Sequence, residues 1–276
     1  MVRIFYRQEM AASTNSFSPS AHKPGEVVTS WLAGFDNLEI IEPDPVTVEQ
    51  LRLAHDPEYV EGILSCRLKN GFGNRDSNVA RSLPYTSGAM LSAAKEALQN
   101  GKVAVAPCSG FHHAGWRNAF GYCTFNGLMV TALALQSEGV VSRVGIIDFD
   151  QHYGDGTEGI IDLLGIDWVM HFSAGDSFRH ANQAESFLAS ICHIIPKMAR
   201  CDLVLYQAGA DPHIEDPMGG WLTTDQLRRR DRIVFETLSK LKVPVAWNLA
   251  GGYQTPLRQV LDIHDNTMEE CLAVYG

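Results

Sequence analysis

The sequence predicts one α/β domain spanning residues 1–276, with a mainly parallel β-sheet covered by helices on both faces. Three observations carry that reading. Apolar, β-branched runs alternate with stretches of helical periodicity, and four of the runs end in titratable residues set beside glycine. The chain has 276 residues, of which 45% are hydrophobic, enough for a full core. Strands joined by helical crossovers run parallel, because each crossover carries the chain back to the edge where the previous strand began.

The elements follow in chain order. The first residues, Met1 to Arg7, lack the apolar core of a signal peptide, so the expected compartment is the cytoplasm. Residues 8–30 and 70–86 are rich in Ser, Asn, Pro and Gly and read as surface loops. Ala, Met and Leu then give a helix over about 87–99, followed by a strand at Val103–Ala106. A helix over about 125–137 leads to strands at Val144–Ile147 and Trp168–Met170. A helix over about 184–199 precedes the strand Leu203–Tyr206. Thr223 and Gln226 have the spacing of a capping box and open a helix to about 241, before the strand Val243–Trp247 and a final helix from about 255.

Composition excludes several classes. No stretch approaches the roughly 20 apolar residues of a membrane span. The net charge is −10, and the sole basic cluster, Arg228, Arg229, Arg230 and Arg232, reads as the solvated face of its helix, so nucleic acid is not an expected partner. An acidic protein steers cationic small molecules instead. The six cysteines form no Cys-x-x-Cys pair, which speaks against a thiolate zinc site or a disulfide framework.

Open parallel sheets bind ligands beyond the carboxyl ends of their strands. There the chain places His112 and His113, then Asp148, Asp150, His152 and Asp155, then Asp211, and finally Tyr253 after Gly251 and Gly252. Asp150 and His152 lie two apart, so on an extended backbone they point the same way, in phase with Asp148. Two carboxylates and an imidazole are costly to bury together without a cation or hydrogen-bond partners. Each motif alone also fits a turn, a helix cap or packing; their joint placement at one sheet edge does not.

The ordered set resembles the zinc-dependent deacetylases of the histone deacetylase superfamily, which includes bacterial acetylpolyamine amidohydrolases and shares the arginase-like α/β fold. The resemblance rests on His55-Asp-Pro-Glu-Tyr59, Phe111-His-His-Ala114, Gly121-Tyr-Cys123 with Asn126, Asp148-x-Asp-x-His152-x-Gly-Asp-Gly156, Gly209-Ala-Asp211 and Gly251-Gly-Tyr253. It implies that Asp150, His152 and Asp211 hold one Zn2+, three protein ligands leaving a position open. It further implies that His113 is the general base, that His112 assists it, and that Asp148 and Asp155 orient His112 and His113 respectively. Tyr253 would stabilise the oxyanion, and Gly121 and Tyr122 would line the substrate channel. A potassium site is implied at Asp148, Asp150, His152, Ser173 and Ala174.

The implied reaction is hydrolysis of an N-acetyl amine by a metal-activated water, without a Ser or Cys nucleophile. The implied substrate is a small cationic acetylated amine such as an acetylpolyamine, with acetyl-lysine in peptides as the other option. Related acetylpolyamine enzymes are often homodimers, and no dimerisation signature decides that point here. The sequence departs from the family at Tyr153, at Gly175 and in the shortened Ala250-Gly-Gly252 run. Two other functions were weighed. A binuclear manganese ureohydrolase would need an Asp where His213 stands, and a catalytically silent binding protein would have no need of every predicted catalytic group.

Overall fold

A computed structural model describes residues 1–276. One sheet contains β1 (Val2–Phe5), β2 (Leu38–Ile41), β3 (Val103–Ser109), β4 (Val144–Asp148), β5 (Val169–Ser173), β6 (Leu203–Gln207) and β7 (Val245–Ala250). The order is β2-β1-β3-β7-β6-β4-β5 and all neighbours are parallel. The register aligns Ser173, Asp148, Gln207, Asn248 and Ala106 across adjacent strands. The polar ends of β3, β7, β6 and β4 therefore meet along one edge.

Strand residues alternate between two cores, as the pleat requires. Val105, Ile147, Val204 and Tyr206 face one core, with Trp31 and Phe235. Ala104, Ala106, Ile146 and Leu205 face the other, with Met90 and Leu128. The helices are α1 (Lys23–Gly34), α2 (Val48–Ala54), α3 (Pro57–Leu64), α4 (Ser77–Asn100), α5 (Gly127–Ser137), α6 (Asp155–Leu164), α7 (Ala184–Ile194), α8 (Thr224–Leu241) and α9 (Arg258–Tyr275). The expected α/β architecture is the one observed.

The structure corrects three local expectations. Residues 8–30 are not simply a surface loop: they run into α1, which buries Lys23, Val27, Val28 and Trp31. Residues 70–86 likewise contain the start of α4, where the Asp76 side chain accepts from the Asn78 N–H and caps the helix. The Arg cluster is not all solvated face. Arg230 is fully buried, because it shares the inner stripe of α8 with Leu227, Val234 and Phe235. The remaining arginines are neutralised: Arg228 and Arg232 by Glu270, Arg229 by Glu185.

Two strands, β1 and β2, were not anticipated. Each has four residues and lies towards one end of the sheet. Helix α7 stops at Ile194 and passes into a 3-10 turn at Ile195–Met198. Pro196 there has no N–H to continue the helical ladder.

Candidate active site

The turn after β4 carries Asp150 and His152, and the turn after β6 carries Asp211. Their donor atoms lie within 4.8 Å of one another. His152 Nδ1 is 3.2 Å from Asp150 Oδ1 and 3.2 Å from Asp211 Oδ2. Both carboxylates are buried, and backbone groups hold their outer oxygens in place. The Gly251 N–H donates to Asp150 Oδ2 at 2.8 Å, and the Gln151 N–H donates to Asp211 Oδ1 at 3.1 Å. A side chain at 251 would collide with both carboxylates, so only glycine closes the site on this side.

Asp211 Oδ2 is buried and makes no hydrogen bond. Such an orphaned carboxylate oxygen is costly without a positive partner. Burial, and then the neighbouring Asp150, push the Asp211 carboxyl up to about 7. Burial opposes ionisation of Asp150 too, yet His112 and His152 hold it well below the usual carboxylate range. The hydrogen bond to Asp150 and the Asp211 carboxylate beside it drive His152 up to about 10. The cluster thus demands positive charge, and two carboxylates with one imidazole form a donor set suited to zinc. The residues fit a divalent metal.

Beside this cluster, β3 delivers two histidines of unequal exposure. His112 Nδ1 lies 2.7 Å from Asp148 Oδ2, and its side chain is 3% exposed. His113 Nδ1 lies 2.6 Å from Asp155 Oδ1, and its side chain is 13% exposed. The two ring centroids are 4.1 Å apart, and His112 Nε2 is 3.6 Å from Asp150 Oδ1. Burial works against a charged His112, but Asp148 and Asp150 outweigh it and raise the ring to about 9. Burial and the neighbouring His112 lower His113.

Tyr253 follows the Gly251–Gly252 turn, its ring centroid 5.7 Å from that of Tyr122. Burial, with Asp211 and Asp150 nearby, raises its phenol well above the ordinary value, so it stays a donor. The Tyr253 N–H donates to Asp216 Oδ2 at 2.8 Å. Cys108 and Cys123 are buried, and desolvation pushes both thiols up, which suits packing and not nucleophilic attack. Ser173 pairs in register with Asp148, and its Oγ accepts from the Gly154 N–H at 3.0 Å. This brings Ser173 to the Asp148–Gly154 turn. Gly175 packs against the peptide joining His152 and Tyr153.

Several supporting residues had no role assigned from sequence. Gln207 Nε2 donates to Asp148 Oδ1 at 2.9 Å. Arg230 donates to the carbonyls of Phe149 at 3.2 Å and Gly209 at 2.7 Å, just ahead of Asp150 and Asp211. Lys23 Nζ donates to Ala250 O at 2.7 Å and Gly251 O at 3.2 Å, and burial lowers it to about 8. His55 accepts the Asn126 N–H through Nε2 at 2.8 Å, with Nδ1 3.0 Å from Gly115 O. Lys23 was hidden in an apparent loop and Arg230 in a charge run.

Paired His–Asp dyads beside a carboxylate–imidazole–carboxylate cluster, at the carboxyl edge of a parallel sheet, define a class of hydrolytic α/β enzymes with a candidate metal centre. The chain belongs to the histone deacetylase domain family, whose profile matches residues 21–174 and 171–268. It is 29% identical over 256 residues to an uncharacterized protein of Picosynechococcus sp., a match covering 82% of this chain and 84% of that one. Histone deacetylase 15 of Arabidopsis thaliana is 30% identical over 126 residues, 42% of this chain and 22% of its own. The acetoin utilization protein AcuC of Staphylococcus aureus is 30% identical over 135 residues, 44% of this chain and 34% of its own.

Solved structures share the fold. The HDA15 HD domain superposes with a TM-score of 0.80 at 20% identity, covering 99% of this chain and 91% of that one. Acetylpolyamine aminohydrolase from Burkholderia pseudomallei gives 0.77 at 15% identity, covering 99% of both. No helix is long and apolar enough to cross a membrane.

Proposed function

We propose that this protein hydrolyses the amide bond of an N-acetylated aliphatic amine, releasing acetate and the free amine. The observation that carries the reading is the convergence of two His–Asp dyads on the Asp150–His152–Asp211 cluster. We assign Asp150, His152 and Asp211 as zinc ligands; the bound ion supplies a Lewis acid that makes water nucleophilic near neutral pH and polarises the amide carbonyl.

His113 is the general base and then the general acid. Its Nδ1 is tied to Asp155, which leaves Nε2 free to take a proton from water and return it to the departing amine. His112 is shut in by Asp148 and sets positive charge beside the reacting centre. The Tyr253 phenol donates to the carbonyl oxygen as negative charge gathers there. Gly121 and Tyr122 line the channel. The net charge of −10 suits a cationic substrate such as an acetylpolyamine.

A binuclear centre gains nothing from His213, whose Nε2 is 3.0 Å from Thr224 Oγ1 and whose Nδ1 accepts the Glu215 N–H. The test is a turnover comparison of acetylputrescine, acetylcadaverine, acetylspermidine and an acetyl-lysine peptide on protein of measured zinc content. Free diamines should be preferred. Absence of turnover on all four with zinc fully loaded would overturn the reading, and preference for the peptide would move the substrate class.

A further inference from the structure

Phe120 is 61% exposed and packs into neither core, yet it is fixed within a tight turn over a proposed catalytic residue. Phe120 and Cys123 exchange both backbone hydrogen bonds, 3.1 Å and 2.8 Å long. Between them Gly121 and Tyr122 have φ of +52° and +65°. Positive φ at both central residues is the signature of a type I′ turn, which favours Asn and Gly. A tyrosine held there is strained, and strain of this kind concentrates at functional sites.

The turn is pressed against His113. A Cβ on Gly121 would lie 2.5 Å from His113 Cδ2, so the glycine allows the approach. The two flanking rings diverge from this point. Tyr122 turns inward, 5.7 Å from Tyr253 and 5.7 Å from Phe72. Phe120 meets the His113 ring edge-on, with centroids 5.5 Å apart and planes at 80°. Exposure rises from the His112 side chain through that of His113 to Phe120, which places Phe120 on the solvent side of the base.

We propose that Phe120 is a specificity-determining residue: its ring forms the outer wall of the substrate site and favours a longer aliphatic chain on the amine. The inference rests on the hydrolase reading above and refines its substrate. An exposed phenyl ring gains from leaving water only when an apolar chain covers it. Each methylene so covered strengthens binding by up to about fourfold, and covering half of the exposed ring is worth about tenfold.

The experiment uses the series N-acetylmethylamine to N-acetylpentylamine with zinc-loaded wild type, Phe120→Ala and Phe120→Tyr, measuring both Kd by calorimetry and kcat/KM. For wild type, affinity should climb with chain length. Phe120→Ala should flatten that climb, its loss growing with length to about tenfold at the pentyl compound and appearing in Kd and KM more than in kcat. Phe120→Tyr should keep the wild-type slope. Parallel slopes in wild type and Phe120→Ala would overturn the proposal, as would a loss equal at every length. Length-dependent Kd values without turnover would support Phe120 as the chain-binding wall while refuting the hydrolase.

Discussion

Mild acid should weaken this protein through His55. That residue is fully buried, and desolvation lowers its imidazole from 6.5 to about 4 despite backbone acceptors at Gly115 and Trp116. Because Nε2 accepts the Asn126 N–H, the single proton belongs on Nδ1, facing Gly115 O. A second proton would destroy the acceptor. Since the folded value lies below the unfolded one, stability is fully present above pH 6.5 and is lost as pH falls towards 4. These values make the loss about 2 kcal/mol at pH 5 and about 3 kcal/mol below pH 4. The loss reaches the site, since the Asn126 side chain holds Ala114 O and Thr157 Oγ1, and the Thr157 N–H donates to His112 O. Urea unfolding between pH 7.5 and 5, on wild type and His55→Gln, isolates the contribution as the difference in slope. The variant should be less stable at pH 7.5 and should lose about 2 kcal/mol less than wild type on the way to pH 5. Parallel curves, or a His55 Cε1 proton resonance titrating near pH 6.5, would refute the reasoning.

Three further outcomes test the assigned roles. Tyr253→Phe should lower kcat by about two to three orders of magnitude with zinc stoichiometry unchanged, as expected for a lost oxyanion donor, and unaltered turnover would show that the phenol points elsewhere. Asp211→Ala should leave the site without metal when zinc is measured by elemental analysis after dialysis; a full complement of zinc would remove Asp211 from the ligand set. Arg230→Met removes the counter-charge of Asp231, leaving it to Tyr206 and Thr267, and takes a donor from the carbonyls of Phe149 and Gly209, and should cost about 3–5 kcal/mol in chemical denaturation. A loss below about 1 kcal/mol would mean that the buried ion pair has little structural role.

The central strands were legible because apolar runs bounded by turn residues report burial on both faces, as at Val144–Ile147. The same logic located the candidate site, since polar residues straight after such runs occupy the carboxyl edge. What stayed hidden depends on contacts distant in sequence. Nothing near Lys23 announces that its ammonium lies on the carbonyls of Ala250 and Gly251, more than two hundred residues away. Arg230 looked like its exposed neighbours because a run of five charged residues masks the helical phase that turns Arg230 and Asp231 inward. Strands β1 and β2 escaped because a charged residue, Arg3 or Glu39, interrupts each short apolar run.

The buried charges also explain how the site keeps its shape. Asp148, Asp150, Asp211, Asp216 and Asp231 are all buried along the carboxyl edge, and Lys23 and Arg230 are the buried fixed cations among them. Neither cation neutralises a proposed ligand by direct contact. Arg230 pairs with Asp231 and spends further donors on the carbonyls of Phe149 and Gly209, joining the turns that carry Asp150 and Asp211. Lys23 fixes the Ala250–Gly251 segment, in which Ala250 has a φ of +52°, directly ahead of Tyr253. Placing the fixed cations on backbone carbonyls leaves the proposed ligand oxygens of Asp150 and Asp211 free to face a mobile charge. A lysine or arginine moved into direct contact with Asp150 or Asp211 would satisfy the same electrostatic demand and close the position proposed for a catalytic ion and its substrate.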